Sequence, residues 1–398
     1  MTEQNPLLNL AAWKLPDPDF LSEHVDRLRA RTARANRPLA RWTSQGRIAP
    51  HDFYCYLMAR FGKPNGYMMM VESDSKNWIQ WHYALQSDTT WIDIFGMDIH
   101  TEILALGSNL SAAEDERLSN AIKSDFSNFG SKMSEIRNSL ERWTVFLNPY
   151  VRLHEMVSTF GEELQEIDLS DRPRPIDHIT TRIKLEEYRQ RREEYHARLG
   201  RAAGLGTALR MVIPVFAESF VNLAIFLLAK QEIRSNVRLF ESMLRENIDL
   251  RVGKMHLLCA GFKHPVPVDD PDIKAFFTIM NSRNDFLHGN IRPSQLKVDE
   301  MFFDGKTALF LRDGARYDIL EIGCLTGVEP TAVLKDVESV SGFICAVLNC
   351  LDDQHKAALE GLMRCSFPGW RDQTKRLGVL FYDEILSAAF IRDDQPSL

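Results

Sequence analysis

The segment from residue 271 to residue 288 carries both the start and the stop signals of a helix. Asp270 is a favourable N-cap, and Pro271 suits the first helical position because no backbone donor is needed there. Gly289 fits the C-terminal turn, and Pro293 prevents the helix from continuing. We therefore expect a helix over residues 271–288.

One face of this helix is apolar until the last turns, where it becomes polar. The apolar residues follow the helical period: Ile273, Phe276, Phe277, Met280 and Leu287. At about 100° per residue, the same face continues through Arg283, Asn284 and His288. A packed arginine beside a histidine is costly unless it is paired or faces a cleft. Such a break in an otherwise regular pattern indicates a functional site.

The C-terminal half of the chain has the pattern of a helical domain with an insertion. Apolar periodicity predicts helices at 207–230, 233–260, 271–288 and 329–350. Between the last two, residues 296–322 are rich in β-forming residues, and Asp304-Gly305 is a typical hairpin turn. We predict a four-helix bundle that carries a β-hairpin insertion.

The N-terminal part of the chain predicts a mixed α+β region. Residues 20–60 favour helix, and residues 66–106 favour a small antiparallel sheet. Ser111 and Glu114 form a capping box that opens a long helix. Its apolar stripe, which recurs every three or four residues, indicates packing within the chain more than an intermolecular coiled coil.

These patterns divide the chain into successive segments of a mainly α protein. A proline-containing linker precedes a charged, solvated helix at residues 183–199. The predicted divisions are an N-terminal α+β region (1–165), the linker with its connector helix (166–200), the helical domain (201–352) and a helical C-terminal extension (353–398).

Positive charge is concentrated in one stretch of the sequence. The chain has a net charge of −7, yet the residues from Arg27 to Arg47 include seven arginines and no acidic residue. This stretch, with Arg31, Arg34 and Arg37 at its centre, suits phosphate binding. The alternative is a solvated surface that pairs with acidic residues of the same protein, and the sequence leaves both interpretations open.

Composition argues against several classes of site and location. The six cysteines include no Cys-x-x-Cys pair, and the 11 histidines lack metal-ligand spacing, so we expect neither a bound metal nor a cofactor. The N-terminus has no secretory signal pattern. The apolar run from Met211 to Ala229 is interrupted by Pro214 and Glu218, which indicates a buried core helix and no membrane association. We therefore expect a cytoplasmic protein.

The string RNDFLHGN at residues 283–290 resembles the signature of the HEPN superfamily. That signature is an arginine, commonly followed by a polar residue, and then a histidine after four to six intervening residues. The resemblance covers residues from about 205 to 350 and implies a four-helix bundle with the motif on its third long helix. It says nothing about residues 1–200.

The resemblance implies metal-independent cleavage of RNA, which leaves 2′,3′-cyclic phosphate and 5′-hydroxyl ends. Arg283, Asn284 and His288 would form the catalytic set, in a homodimer with a shared cleft. It also implies a toxin-like or anti-phage role and a regulatory protein or antitoxin as a partner. Glu218 interrupts an apolar helix; it either contacts and positions Arg283 or is a buried hydrogen-bonding residue without a catalytic part.

Two other functions remain open from the sequence. One is a catalytically silent HEPN scaffold that dimerises and binds RNA or protein. The other is a sensor in which residues 66–106 bind a ligand and the helical domain transmits the signal.

Overall fold

A computed structural model gives the fold of the chain, which is mainly helical with a small antiparallel sheet. Its contacts form two compact units, with the boundary between Arg142 and Trp143. The structure describes residues 5–17, 19, 22, 39–44, 46–66, 68, 79–88, 90–97, 100–106, 109–173, 182–287, 291, 293, 296–310, 315–374 and 376–380.

In the part of the first unit that the structure describes, an antiparallel sheet packs with two α-helices. Its elements are β1 (Trp13–Lys14), β2 (Leu39–Thr43), α1 (Pro50–Phe61), β3 (Ile79–Ser87), β4 (Thr90–Met97), β5 (Thr101–Leu106) and α2 (Ala112–Ser139). The five strands lie in the order β1-β3-β4-β5-β2. The sheet predicted from residues 66–106 is thus present and gains a strand at each edge.

Helix α2 begins and packs as the sequence predicts. The Ser111 hydroxyl accepts a hydrogen bond from the Glu114 backbone, and the Glu114 side chain accepts one from the Ser111 backbone. Leu118, Ile122 and Met133 are buried in the core of the first unit. The apolar stripe of α2 therefore serves packing within the chain.

Strand β2 corrects the prediction of helix at residues 39–43. Ala40 and Trp42 are buried while Arg41 between them is exposed, which is the alternation of a strand. The strand pairs with β5, and the Trp42 indole donates a 3.0 Å hydrogen bond to the Ser119 hydroxyl. The prediction of helix is correct for α1.

The second unit is mainly helical. Its elements are β6 (Thr144–Val145), α3 (Pro149–Gln165), α4 (Arg182–Leu228), α5 (Gln231–Ser235), α6 (Val237–Arg245), α7 (Ile248–Leu258), α8 (Pro271–Leu287), β7 (Met301–Asp304), β8 (Thr307–Phe310), α9 (Ala315–Leu325), α10 (Pro330–Asn349), α11 (Asp353–Met363), β9 (Gly369–Arg371) and β10 (Arg376–Gly378).

One core joins the long helices of this unit. Helix α4 packs against α3, α8 and α10, and α8 packs against α10. The rings of Phe276 on α8 and Phe343 on α10 are stacked, with centroids 3.9 Å apart. Ile273, Phe276 and Met280 are buried in this core, so the apolar face predicted for α8 is confirmed.

Several predicted boundaries in this unit differ from the structure. The connector helix and the first bundle helix form one continuous helix of 47 residues, α4. The helix predicted at 233–260 is three short helices. The Asn236 side chain caps the second of them, whereas Asn247 occupies the N-cap position of the third without a side-chain hydrogen bond. Helix α3, which was assigned to the N-terminal region, is part of the second unit.

The predicted insertion and the C-terminal extension are each correct in part. Strands β7 and β8 form the expected hairpin, and Gly305 in its turn has a φ of 60°. The insertion also contains a helix, α9. The extension begins with the predicted helix, α11, but continues with the short strands β9 and β10. The chain from residue 381 onward lies outside the described residues.

The apolar half of α4 has the length and composition of a membrane-crossing helix. In the structure 56% of that stretch is buried inside the protein. Phe220, Val221, Ala224 and Ile225 are among its fully buried residues. The prediction of a buried core helix at Met211–Ala229 matches this packing.

Candidate functional site

Helix α8 places Arg283 at the edge of the core of the second unit. The Asp270 side chain accepts a hydrogen bond of 2.9 Å from the backbone of Asp272, which confirms the predicted N-cap. The buried residues of the first three turns fix the rotation of the helix about its axis. Arg283 follows on the same face, where its side chain is 24% exposed. The arginine therefore lies half-buried at the packed face, as expected.

Glu218 on α4 lies between two arginines. Its Oε2 is 3.6 Å from the Arg283 Nη1, and its Oε1 forms a close ion pair with the Arg251 Nη2. Of the two interpretations that the sequence leaves open for Glu218, the structure shows the contact with Arg283. Because one carboxylate faces two guanidinium groups, this trio has a net charge of +1.

Arg251 on α7 is the most deeply buried member of the trio, with 4% of its surface exposed. Besides its ion pair with Glu218, its Nη1 donates a 2.6 Å hydrogen bond to the Asn222 Oδ1. Asn222 lies one helical turn after Glu218, so α4 presents both acceptors on one face. Two neighbouring acceptors thus hold one buried guanidinium in a fixed position.

A cleft of about 730 Å³ opens beside these residues. This volume is in the range of a pocket for a small molecule or a nucleotide. Its walls come from α4, α6, α7 and α8, and the residues that line it are Glu218, Leu244, Arg245, Glu246, Asn247, Ile248, Asp249, Arg251, Phe277, Met280, Asn281 and Arg283.

The charges of the cleft differ between its inner end and its mouth. At the mouth, Arg245 and Asp249 are exposed, and Glu246 pairs with Lys254. At the inner end, the Nε atoms of Arg251 and Arg283 are buried and have no hydrogen-bond partner among the described residues. Half-buried guanidinium donors bind anionic oxygens well, because a phosphate or carboxylate can accept from two of them at once.

The other predicted site residues fall partly or wholly outside the described chain. Asn284 lies in the last turn of α8, but its side chain is outside the described residues, as is all of His288. Whether these residues meet Arg283 therefore stays a prediction.

Arg31, Arg34 and Arg37 also lie outside the described residues. Two other arginines of the same run are described, and both are paired with acidic residues of the first unit. Arg41 pairs with Glu102, and Arg47 pairs with Asp115. For these two positions the interpretation as an internally paired surface is correct.

Arg251 is the residue of the site that the sequence analysis missed. It lies in a segment predicted as one long helix, where a single arginine among charged neighbours carried no signal. The available signal was on α4, where Glu218 and Asn222 form a polar face one turn long within an apolar helix. Such a face requires a buried polar partner.

The same region has no cluster of metal-ligating side chains among the described residues. Among the described residues, histidine, cysteine and carboxylate side chains form no group of three that would hold a metal ion. The trio of Glu218, Arg251 and Arg283 lines the cleft, and its net charge of +1 suits an anionic ligand.

Comparisons with protein-family models, with curated proteins and with solved structures give no match to this chain. The function must therefore be inferred from the residues of the cleft and from the sequence that ends α8.

Proposed function

We propose that this protein is a metal-independent endoribonuclease of the HEPN type. The observation that carries the proposal is Arg283, which reaches a cleft in the last turns of α8 while Glu218 faces its guanidinium at 3.6 Å. His288 follows the end of the same helix by one residue. An arginine and a histidine at one helix end suit the cleavage of a phosphodiester bond.

The proposed reaction uses the RNA itself as the nucleophile. The 2′-hydroxyl oxygen attacks the adjacent phosphorus, and the bond from phosphorus to the 5′-oxygen breaks. The hydroxyl proton is removed by a base and a proton is delivered to the leaving oxygen, so the ends are a 2′,3′-cyclic phosphate and a 5′-hydroxyl. His288 carries these protons, because the pKa of an unperturbed histidine is about 6.5.

Arg283 has the second role in this mechanism. Negative charge increases on the phosphoryl oxygens as the 2′-oxygen attacks, and a guanidinium in a partly desolvated cleft stabilises that charge. Asn284 orients His288 or the scissile phosphate. Glu218 is a positioning residue in this scheme, since it contacts Arg283 from the neighbouring helix.

The wider proposal concerns fold family, assembly and biological role. The helices α3, α4, α8 and α10, which share one core, support a HEPN-like bundle in which α8 is the third helix. In this bundle α3 takes the place of the helix that was expected at 233–260, which is three short helices. We propose a cytoplasmic homodimer with a shared cleft, in a toxin-like or anti-phage role with a regulatory protein as a partner. This role is an analogy with the superfamily.

The decisive experiment compares RNA cleavage by the wild type and by His288→Ala in the presence of EDTA. We expect the wild type to give cyclic-phosphate ends and the variant to lose about 100-fold or more in rate. His264→Ala is the matched control, because His264 is exposed on the loop that precedes the first residue of α8, whereas His288 follows its last residue. Equal cleavage by all three proteins, or cleavage that requires added magnesium, contradicts the proposal.

A second candidate function is a non-enzymatic HEPN scaffold that dimerises. The hairpin of β7 and β8 favours it, since Phe302 and Phe303 are 54% and 63% exposed. Large exposed aromatic residues mark interaction surfaces. For a scaffold we expect Phe303→Lys to convert dimers to monomers in light scattering, while no RNA is cleaved by the wild type. A monomeric wild type contradicts this candidate.

A further inference from the structure

We infer that Arg251 is a positioning residue that holds the charge of Glu218, so that Arg283 stays free to bind a phosphodiester group. This inference rests on the proposed function, because the phosphodiester is that of RNA. Arg251 does not touch the phosphate in this scheme; it acts through Glu218.

The contacts of Arg251 support a role in holding Glu218 and not in binding the phosphate. Both of its terminal nitrogens are occupied, one by Glu218 and the other by Asn222. Its side chain is almost fully buried, so a polymeric substrate has little access to it. Arg283 differs in both respects: its one ion-pair partner among the described residues is Glu218, at 3.6 Å, and its side chain reaches the cleft.

The distances indicate how the single negative charge is shared. Glu218 is in close contact with Arg251, whereas its separation from Arg283 is longer than a good hydrogen bond. The carboxylate is therefore committed mainly to Arg251. The positive charge of Arg283 is therefore only partly neutralised by Glu218 and remains available in the cleft.

Removal of Arg251 changes this balance. Glu218 then has Arg283 as its remaining described cationic partner, and a half-buried carboxylate closes on such a partner to avoid an unpaired charge. The pair of Glu218 and Arg283 is neutral, and the guanidinium is no longer available to phosphate. A second substitution that removes the charge of Glu218 frees Arg283 again.

The test measures binding of a fully 2′-O-methylated RNA oligonucleotide, which cannot undergo 2′-hydroxyl attack, by fluorescence anisotropy at several salt concentrations. We expect Arg251→Met to weaken binding about tenfold and to lower the salt slope by about one phosphate contact. Arg251→Lys should keep most of the affinity. The double variant Arg251→Met/Glu218→Gln should recover the affinity and the salt slope of the wild type.

Recovery of RNA binding by the double variant distinguishes a positioning role of Arg251 from phosphate binding and from a purely structural role. If Arg251 bound the phosphate itself, or only stabilised the fold, the added Glu218→Gln substitution would not restore binding, and the inference would be overturned. Arg283→Met should weaken binding with or without the other substitutions. Arg245→Met removes an exposed arginine from the same cleft and should have the smaller effect. Thermal unfolding of each variant verifies that it is folded.

Cleavage of unmodified RNA is measured in parallel, so that the two proposals can fail separately. Recovery of binding by the double variant without cleavage by the wild type supports the inference and contradicts the nuclease. Cleavage without recovery supports the nuclease and overturns the inference. A wild type that does not bind the oligonucleotide overturns the inference whatever the cleavage assay gives.

Discussion

At the scale of single residues, the negative charge of Glu218 contributes both to the stability of the fold and to the proposed reaction. It neutralises Arg251, which the fold buries, and it contacts Arg283, which the proposed reaction uses. Replacement of Glu218 by a neutral residue should lower the stability of the protein, because Arg251 is then buried without its counter-charge.

Glu218→Gln should lower the free energy of unfolding by about 3 kcal/mol, since Arg251 then lies buried with only neutral acceptors. Urea denaturation followed by circular dichroism measures the change. The double variant Arg251→Met/Glu218→Gln should regain most of the loss, because an apolar side chain replaces the buried cation. Equal stability of the wild type and Glu218→Gln contradicts this account.

The reactivity of individual cysteines tests whether Cys259 is buried in the core of the second unit. Burial raises the pKa of Cys259 to about 12, whereas Cys324 and Cys345 are exposed. At pH 8 iodoacetamide should modify the two exposed cysteines and leave Cys259 intact until the protein unfolds. Mass spectrometry of peptides from the native protein identifies the modified positions, and early modification of Cys259 contradicts the packing.

The same pKa shift has a consequence for stability at high pH. The thiol of Cys259 stays protonated in the folded protein, while in the unfolded chain it ionises near its ordinary pKa of about 9. The unfolded state therefore binds fewer protons above that pH, and stability falls as the pH rises from about 9 toward 12. Cys259→Ala should reduce this part of the pH dependence in urea denaturation.

At the scale of elements, helix ends were the most predictable features of the chain. Asp270 and the capping box at Ser111 act as the sequence indicates, because a cap depends on residues only two or three positions apart. The break of the segment 233–260 was missed although Asn236 and Asn247 are both favourable N-caps. No proline interrupts that segment, and its charged residues alone are compatible with one helix.

Gly206, within α4, has a packing role that the sequence pattern does not reveal. A Cβ at Gly206 would lie 2.5 Å from the backbone oxygen of Val328, whereas a Cβ at Gly200 would meet nothing within 4 Å. The helix thus approaches the backbone before α10 more closely than any other residue at 206 would allow.

Gly206→Ala should lower the free energy of unfolding by about 1–3 kcal/mol, because the added methyl group overlaps with backbone that cannot rotate away. Gly200→Ala in the same helix is the control and should be neutral or stabilising by up to about 1 kcal/mol. Thermal unfolding of the two variants measures the difference. A larger loss for Gly200→Ala would show that α4 is packed differently.

At the scale of the whole molecule, the boundary between the two units lies earlier in the structure than the division that the sequence predicts after residue 165. The sequence places residues 149–165, which form α3, in the N-terminal region because they precede the proline-containing linker. In the structure Tyr150, Val157 and Leu164 are buried in the core of the second unit. A linker in the sequence does not identify which core receives the helix before it, because that depends on contacts distant in sequence.

Two fragments that differ by α3 test this boundary. Residues 143–384 contain the whole second unit, and residues 166–384 lack α3 and leave the α3-facing side of its core open. The longer fragment should unfold cooperatively in urea, and the shorter should bind a hydrophobic dye and lack a cooperative transition. Cooperative unfolding of both fragments would place α3 outside the core.

The residues of the candidate site could be predicted from the sequence where each one interrupts the apolar pattern of its own helix. Arg283 follows from the polar break in the α8 stripe, and Glu218 from the polar break in α4. Their contact was only one of two options, since pairing across helices depends on the rotation of each helix about its axis. Arg251 completes the trio from a third element, and no periodicity in the sequence links that element to the other two.

The N-cap of α3 has a consequence for the order in which a nascent chain becomes functional. The buried amide of Asn148 donates to the backbone oxygens of Leu362 and Cys365, at 2.8 and 3.0 Å. These partners follow it by more than 200 residues, so α3 gains its full capping contacts only after α11 has been synthesised. During translation the motif at the end of α8 therefore leaves the ribosome before its domain is complete. The unit that carries Arg283 therefore completes the packing around α3 only after the chain has been extended through Cys365.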